Sequence, residues 1–262
     1  MDIPQKQQGE EEGNKMEKNE KELQRLLQTV TGPDEEARKA AHQKWDACAK
    51  PLGSLGLLET AIEKIAALTG SIDICLSPRA VLVLCADNGV IAQGVTQSDY
   101  DVTKIVTNHL AMGRTSVCRM AAVANCQVVP VDMGVLDYPP TEGVLNRRIA
   151  NGTGDISQGP AMSRKQAVQA VLTGIELVRE QKEKGTRLLA TGEMGIGNTT
   201  TSSAVASVML GREVTEMTGR GAGLSNEGLL RKIDAIQRAI QLNQPDPNDP
   251  LDVISKVGGF DI

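Results

Sequence analysis

Three short apolar runs, each closed by an acid beside a glycine, restrict the folds open to this chain more than any other feature. Val81-Leu82-Val83-Leu84-Cys85 ends in Ala86-Asp87-Asn88-Gly89, and Gln127-Val128-Val129-Pro130-Val131 ends in Asp132-Met133-Gly134. Arg187-Leu188-Leu189-Ala190-Thr191 ends in Gly192-Glu193-Met194-Gly195. Runs this short, apolar on both faces and followed by glycine turns, suit parallel strands covered by helices. Helical patterns separate them over Asp101 to Ala124, Ser163 to Lys184 and Thr200 to Leu210. The alternation predicts an α/β fold with a parallel sheet and right-handed crossovers. Pro130 counts against a central strand, so the second strand is expected to be short or interrupted.

The flanking segments read differently. Residues 1–22 are polar, with the run Glu10-Glu11-Glu12, and read as a disordered tail. A helical pattern begins at Pro33, with Asp34-Glu35-Glu36 placed to favour the helix dipole. It should run to Ala49, where Lys50-Pro51-Leu52-Gly53-Ser54 breaks it, and a second helix should run from Leu55 to Leu68 with Gly70 closing it. A small helical subdomain over 23–75 is therefore expected ahead of an α/β domain over 76–262. A last long helix is expected from Asn226 to Gln241, followed by a loop over Pro245 to Pro250 and an amphipathic stretch to Val257. Gly258-Gly259-Phe260-Asp261-Ile262 then ends the chain.

Composition narrows the partners. With one Trp, one Phe and two Tyr, the core must be built from Leu, Val, Ile, Ala and Met. Stacking platforms for single-stranded nucleic acid are lacking. A net charge of −5 gives no pull on a polyanion, so neither nucleic acid nor an anionic membrane is expected as the main partner. A nest of backbone amides can still hold a small phosphorylated ligand. Cys48, Cys75, Cys85, Cys118 and Cys126 form no C-x-x-C pair and have only His42 and His109 for company, so no metal site is expected. They are expected to be reduced core residues. No stretch resembles a signal peptide or a membrane span, which makes the cytoplasm the expected compartment.

In parallel α/β sheets, ligands bind outside the carboxyl ends of the strands, where Asp87, Asp132 and Glu193 stand. Acids there can bind a metal, hydrogen-bond ribose hydroxyls or stabilise positive charge at an anomeric carbon; each can equally cap the following helix. In Gly192-Glu193-Met194-Gly195-Ile196-Gly197-Asn198-Thr199-Thr200, the spaced glycines let backbone N–H groups approach a ligand. Asn198, Thr199 and Thr200 then offer donors at a helix start, which favours anions. A tight structural turn would show the same glycines. The string is neither a Walker loop nor G-x-G-x-x-G. Gly219-Arg220-Gly221-Ala222-Gly223 is a second backbone-exposing turn, and Lys232 on the next helix is either a phosphate clamp or a solvated helix lysine.

Taken in order, Lys50-Pro51-Leu52-Gly53-Ser54-Leu55-Gly56, Ala86-Asp87-Asn88-Gly89-Val90, Gly94-Val95-Thr96 to Val102-Thr103, Pro160-Ala161-Met162, Gly192 to Thr200, Gly219-Arg220-Gly221 with Gly223-Leu224, and Gly258-Gly259-Phe260 resemble the nicotinate-nucleotide–dimethylbenzimidazole phosphoribosyltransferases. The resemblance runs from residue 36 to the end. It implies a Rossmann-like parallel sheet flanked by helices, with a small helical domain, usually as a homodimer. The implied reaction moves phosphoribose from nicotinate mononucleotide to 5,6-dimethylbenzimidazole, inverting C1′ and releasing nicotinate and α-ribazole 5′-phosphate, a cobalamin precursor. No cofactor is required.

By the same resemblance, Glu193 stabilises positive charge at the ribose. Gly195, Ile196, Gly197, Asn198, Gly221 and Lys232 hold the mononucleotide and its phosphate, and Met194 and Thr199 fall among the substrate-binding residues. Asp87, Asn88, Gly89, Thr96 and Lys104 fall in the substrate-binding region, Thr96 and Lys104 where the family contacts the benzimidazole. Thr96 stands for the commoner Ser, Lys104 for Gln, and Asn88 for a His. The family's Arg-Leu-Gly-Glu-Gly string, which carries its general base, does not occur in this sequence, so little transferase activity is expected from this chain by itself. The alternative is a non-catalytic nucleotide- or azole-binding protein that keeps part of the pocket.

Overall fold

The computed structural model describes residues 18–262. They fall into two compact units, Lys21–Ser77 and a larger one built from Pro78–Ile262 with residues 18–20. A first helix, α1, covers 18–28. The polar tail expected over 1–22 is therefore helical from 18 onward, where Leu23 supplies a buried anchor, and its remainder lies outside the described residues.

In the smaller unit, α2 (Glu35–Asp46) starts where the Asp34 carboxylate accepts from Ala37 N at 2.9 Å, and α3 (Leu57–Thr69) ends on Gly70. The helices pack through Ala37, Ala41, Ala66 and Ala67, small side chains that permit close approach. Lys50 pairs with Glu59 at 2.8 Å, and Glu59 also accepts from Leu55 N, which fastens the Lys50–Gly56 turn to α3. Cys48 and Cys75 are exposed, contrary to the core expectation, because they sit in the connections after α2 and after α3. Cys85 and Cys118 are buried.

The larger unit holds a parallel sheet in the order β3-β2-β1-β4, made of β1 (Arg79–Ala86), β2 (Cys126–Gly134), β3 (Leu145–Asn146) and β4 (Leu188–Met194). Its helices are α4 (Asp101–Ala111), α5 (Ser116–Val123), α6 (Arg164–Glu183), α7 (Asn198–Leu210), α8 (Val214–Met217), α9 (Asn226–Asn243) and α10 (Pro250–Val257). Alternation along β1 explains its unbroken apolar run. Leu82 and Ala86 enter one core with Ala167 of α6, Ala204 of α7, Ile236 of α9 and Val253 of α10. Val81, Val83 and Cys85 enter a second with Leu110 of α4 and Cys118 of α5. Each fully buried Val or Leu contributes about 1.5–3 kcal/mol, so both faces of β1 are strongly specified.

Three expectations need correction. The helix expected from Asp101 to Ala124 is two, α4 and α5, because Gly113 at φ 68 ends the first and the Thr115 hydroxyl caps the second. The second strand is not short: β2 runs through Pro130 without interruption. Its β3 neighbour pairs only with Val131 and Asp132, so Pro130 sits at an open edge where its missing N–H leaves no ladder bond unmade. The third run is not covered on both faces. Among the described residues β4 pairs only with β1, and Leu188, Ala190, Thr191 and Glu193 are exposed.

The register aligns the strand ends. Cys85 lies opposite Met194 and Ala86 opposite Gly134, so the loops after β1, β2 and β4 leave the sheet at one edge.

Candidate active site

The loop from β4 to α7 is held from two sides. Asn198 Nδ2 donates to the exposed Glu193 carboxylate, while Asn198 Oδ1 accepts from Thr199 N at 2.6 Å. One side chain thus ties the acid to the first turn of α7. From α4, the buried Thr103 hydroxyl accepts from Ile196 N at 3.1 Å. Thr103 belongs to the Val102-Thr103 pair that carries part of the family resemblance, but it was given no role from sequence; the fold brings it under the loop.

Lys232 is the charged centre of this edge. It lies on α9, is only 1 % exposed, and its Nζ donates to Thr199 Oγ1 at 2.7 Å and to Gly219 O at 3.3 Å. Burial holds its pKa below the ordinary lysine value. Its burial decides against the solvated-lysine reading. The approach depends on Gly221, which takes φ 54; a Cβ there would come within 2.9 Å of Thr199 Oγ1 and 3.6 Å of Lys232 Nζ. Gln97 Nε2 donates to Gly223 O at 2.8 Å, bringing the segment with Thr96 against the same turn. The resulting cleft is lined by Thr96, by Met194, Gly195, Ile196, Gly197, Asn198 and Thr199 of the loop and helix start, and by Arg220 and Gly221. Neither Lys232 nor Glu193 lines the cleft itself; each stands one hydrogen bond behind it, Lys232 through Thr199 and Glu193 through Asn198. A phosphate joined to a carbon that gains positive charge would meet an ammonium on one side and a carboxylate on the other.

Asp87, Asn88 and Gly89 form the floor beneath the loop rather than a wall of the cleft. Asp87 is buried and accepts from Leu136 N at 2.7 Å, and burial pushes its carboxyl above the usual range. Asn88 Oδ1 accepts from Thr201 Oγ1 at 3.1 Å, and Asn88 Nδ2 donates to Asp261 Oδ2 at 3.2 Å. Gly89 N donates to Thr153 Oγ1. The Lys104 amine is turned to Asp137 O at 3.1 Å and does not line the cleft.

Asp132, the third strand-end acid, is a structural group. It accepts from Val135 N at 2.9 Å and from Arg148 Nε and Nη2 at 3.1 and 2.9 Å. Asp132→Asn is expected to cost about 2 kcal/mol of stability, since it leaves the Arg148 guanidinium without its carboxylate. Urea titration checks the loss, and ligand binding at the cleft should not change.

A larger apolar hollow of about 610 Å³ lies in the helical unit between Trp45, Leu58, Ile62 and Ile74. Its charged lining groups, Lys44 and Asp73, pair with each other at 3.8 Å, and it lacks the convergent polar groups of the strand-end cleft.

Residues 30–262 match a family model described as phosphoribosyltransferase. A nicotinate-nucleotide–dimethylbenzimidazole phosphoribosyltransferase of Ruminiclostridium cellulolyticum is 48 % identical over 227 residues, a match covering 87 % of this chain and 64 % of the relative. One from Acetivibrio thermocellus is 48 % identical over 240 residues, covering 90 % of this chain and 68 % of its own. The chain belongs to the nicotinate-nucleotide–dimethylbenzimidazole phosphoribosyltransferase family.

The fold agrees with that membership. The structure of CobT from Thermus thermophilus superposes with a TM-score of 0.81 at 38 % identity, covering 86 % of this chain and 68 % of that one. The chain is α/β with a parallel sheet and spans roughly two thirds of the length of the relatives it matches. Membership does not favour the non-catalytic alternative. No helix among the described residues is long and apolar enough to cross a membrane.

Proposed function

We propose that this chain supplies the nucleotide site, with Glu193, for the phosphoribosyl transfer named for its relatives, from nicotinate mononucleotide to 5,6-dimethylbenzimidazole. The observation that supports it most is the buried Lys232 ammonium, hydrogen-bonded to Thr199 and Gly219 beside the glycine loop that bears Glu193. In this reading the 5′-phosphate sits against Lys232, Thr199 and the Gly221 turn, and the ribose lies over Gly195, Ile196 and Gly197. The C1′–N bond breaks with its electron pair passing to the pyridinium nitrogen, so nicotinate leaves without needing a proton. Glu193, held by Asn198, faces the positive charge that builds at C1′ and the ring oxygen. An azole nitrogen attacks C1′ from the opposite face, inverting it, and the proton on the second azole nitrogen goes to a general base. The family string that carries this base does not occur in this sequence.

Met194 and Thr96, which line the cleft, are assigned to the azole side, with Lys104 and the Asp87-Asn88-Gly89 floor behind them. No cofactor is invoked, because the cationic pyridinium is already a good leaving group. A cytoplasmic homodimer is inferred from the resemblance.

The test is calorimetric titration of nicotinate mononucleotide into the chain. It is paired with nicotinate release in the presence of dimethylbenzimidazole, by the chain and by the chain joined to the C-terminal third of the Ruminiclostridium relative. Binding by both and release by the joined protein are expected; no binding and no release by either sinks the reading. In the joined protein, Glu193→Gln should lower turnover about 10- to 30-fold while the Kd for nicotinate mononucleotide changes less than about threefold. The effect is moderate because Glu193 is exposed, and water screens its field.

A further inference from the structure

Asp261 is the most deeply buried carboxyl near the cleft whose burial the reading above leaves unexplained. It is 3 % exposed and follows the Gly258-Gly259 turn after α10. One oxygen, Oδ2, accepts from Asn88 Nδ2 at 3.2 Å; the other, Oδ1, is buried without a hydrogen-bond partner. The carboxyl presses on the glycine loop from below. A Cβ at Gly195 would lie 2.4 Å from Asp261 Oδ2, and one at Gly259 would lie 2.3 Å from Asp261 Oδ1. Through Asn88, whose Oδ1 accepts from Thr201, the same carboxyl is linked to the first turn of α7. Leaving a carboxyl oxygen buried and unpartnered is costly, and an apolar side chain would fill this space more cheaply.

We propose that Asp261 is a positioning residue for the site, supporting the Gly192–Asn198 loop from beneath and, through Asn88, fixing it against the start of α7. This rests on the nucleotide reading of the cleft for its consequence, though not for its geometry. Asp261 acts through Gly195 and Asn88 and is not assigned a contact with substrate. The groups facing it bear on its charge. Glu193 of β4 and Asp87 after β1 both disfavour a second negative charge, and burial disfavours it more, so its pKa is pushed up to about 7. The Asn88 amide, and behind it the backbone N–H of Asp261 itself, oppose them by stabilising the ionised form. As pH rises through this value the carboxyl ionises beneath a cleft that must accept an anionic nucleotide. A unit charge beneath the loop is expected to weaken nucleotide binding by about threefold.

Two variants separate shape from charge. Asp261→Asn keeps the size and the Asn88 bond but cannot ionise; Asp261→Ala removes the support. Calorimetry with nicotinate mononucleotide between pH 5.5 and 8.5, with the same series on wild type, removes the contribution of the ligand's own phosphate. Wild type should lose about threefold more affinity than Asp261→Asn across pH 7. Asp261→Ala should bind about tenfold more weakly at every pH. Amide exchange of residues 192–200, followed without ligand, should quicken about tenfold in Asp261→Ala and stay within about twofold in Asp261→Asn. Superimposable pH profiles for wild type and Asp261→Asn, or unchanged loop exchange in Asp261→Ala, overturn the proposal. If wild type does not bind the nucleotide while loop exchange responds as stated, the substrate reading fails and the positioning role stands.

Discussion

Gly195→Ala should remove measurable nicotinate mononucleotide binding, a loss of more than about 100-fold, and cost the fold about 3 kcal/mol. The position has no room for a methyl group. A Cβ at residue 195 would fall 2.1 Å from Ala86 O, 2.4 Å from Asp261 Oδ2 and 3.1 Å from Asn88 Nδ2. The nearest of these is backbone at the end of the central strand β1, which cannot swing aside as a side-chain tip can. The loop must lift instead, and in lifting it breaks the Ile196 N–Thr103 bond and carries Asn198 and Glu193 away from the Lys232 side. A displacement of about 1 Å also costs on the order of 10²-fold in the rate of a positioned reaction, so turnover in the joined protein should fall with affinity. Gly192→Ala is the control. Its Cβ would meet nothing closer than 3.6 Å, and it should leave both melting temperature and affinity nearly unchanged. Equal behaviour of the two variants would show that the loop does not depend on this close approach.

Lys232→Met should weaken nicotinate mononucleotide about 100-fold while raising the stability of the ligand-free protein by about 1 kcal/mol. The two signs have one cause. The ammonium is buried, its hydrogen bonds go to a hydroxyl and a carbonyl, and no ion pair to it is found among the described residues. Without an anionic ligand the charge is under-compensated, as its lowered pKa indicates. Between that lowered value and the ordinary lysine value, the unfolded chain binds more protons than the folded one, so stability rises with pH through that window. The methionine variant should lack this rise. Thermal melts across pH and nucleotide titration measure the two effects, and a variant that is less stable and still binds normally would remove Lys232 from the site.

Much of this molecule was legible in its residues. The run from Val81 to Cys85 announced a strand buried on both faces, since it lacks polar positions for a solvent face, and both faces are indeed packed. The Gly192–Thr200 string showed where the chain exposes backbone to a ligand, and Lys232 entered the candidate set through its place after the Gly219–Gly223 turn. The misread elements share a reason. Pro130 looked like an interruption because its open edge depends on how far β3 extends, and Leu188 to Thr191 looked covered because hydropathy cannot report which neighbours a strand has.

Local chemistry, then, determined the glycines, the caps and the apolar alternation, because each depends on backbone conformation and side-chain type within a few residues. Only the tertiary structure decided that Asp132 belongs to Arg148, that Thr103 supports Ile196 and that Asp261 lies under Gly195. Those facts join residues 16, 93 and 66 positions apart in sequence. Contacts at such separations are set by how the strands and helices pack, and no local pattern of hydropathy or spacing encodes them.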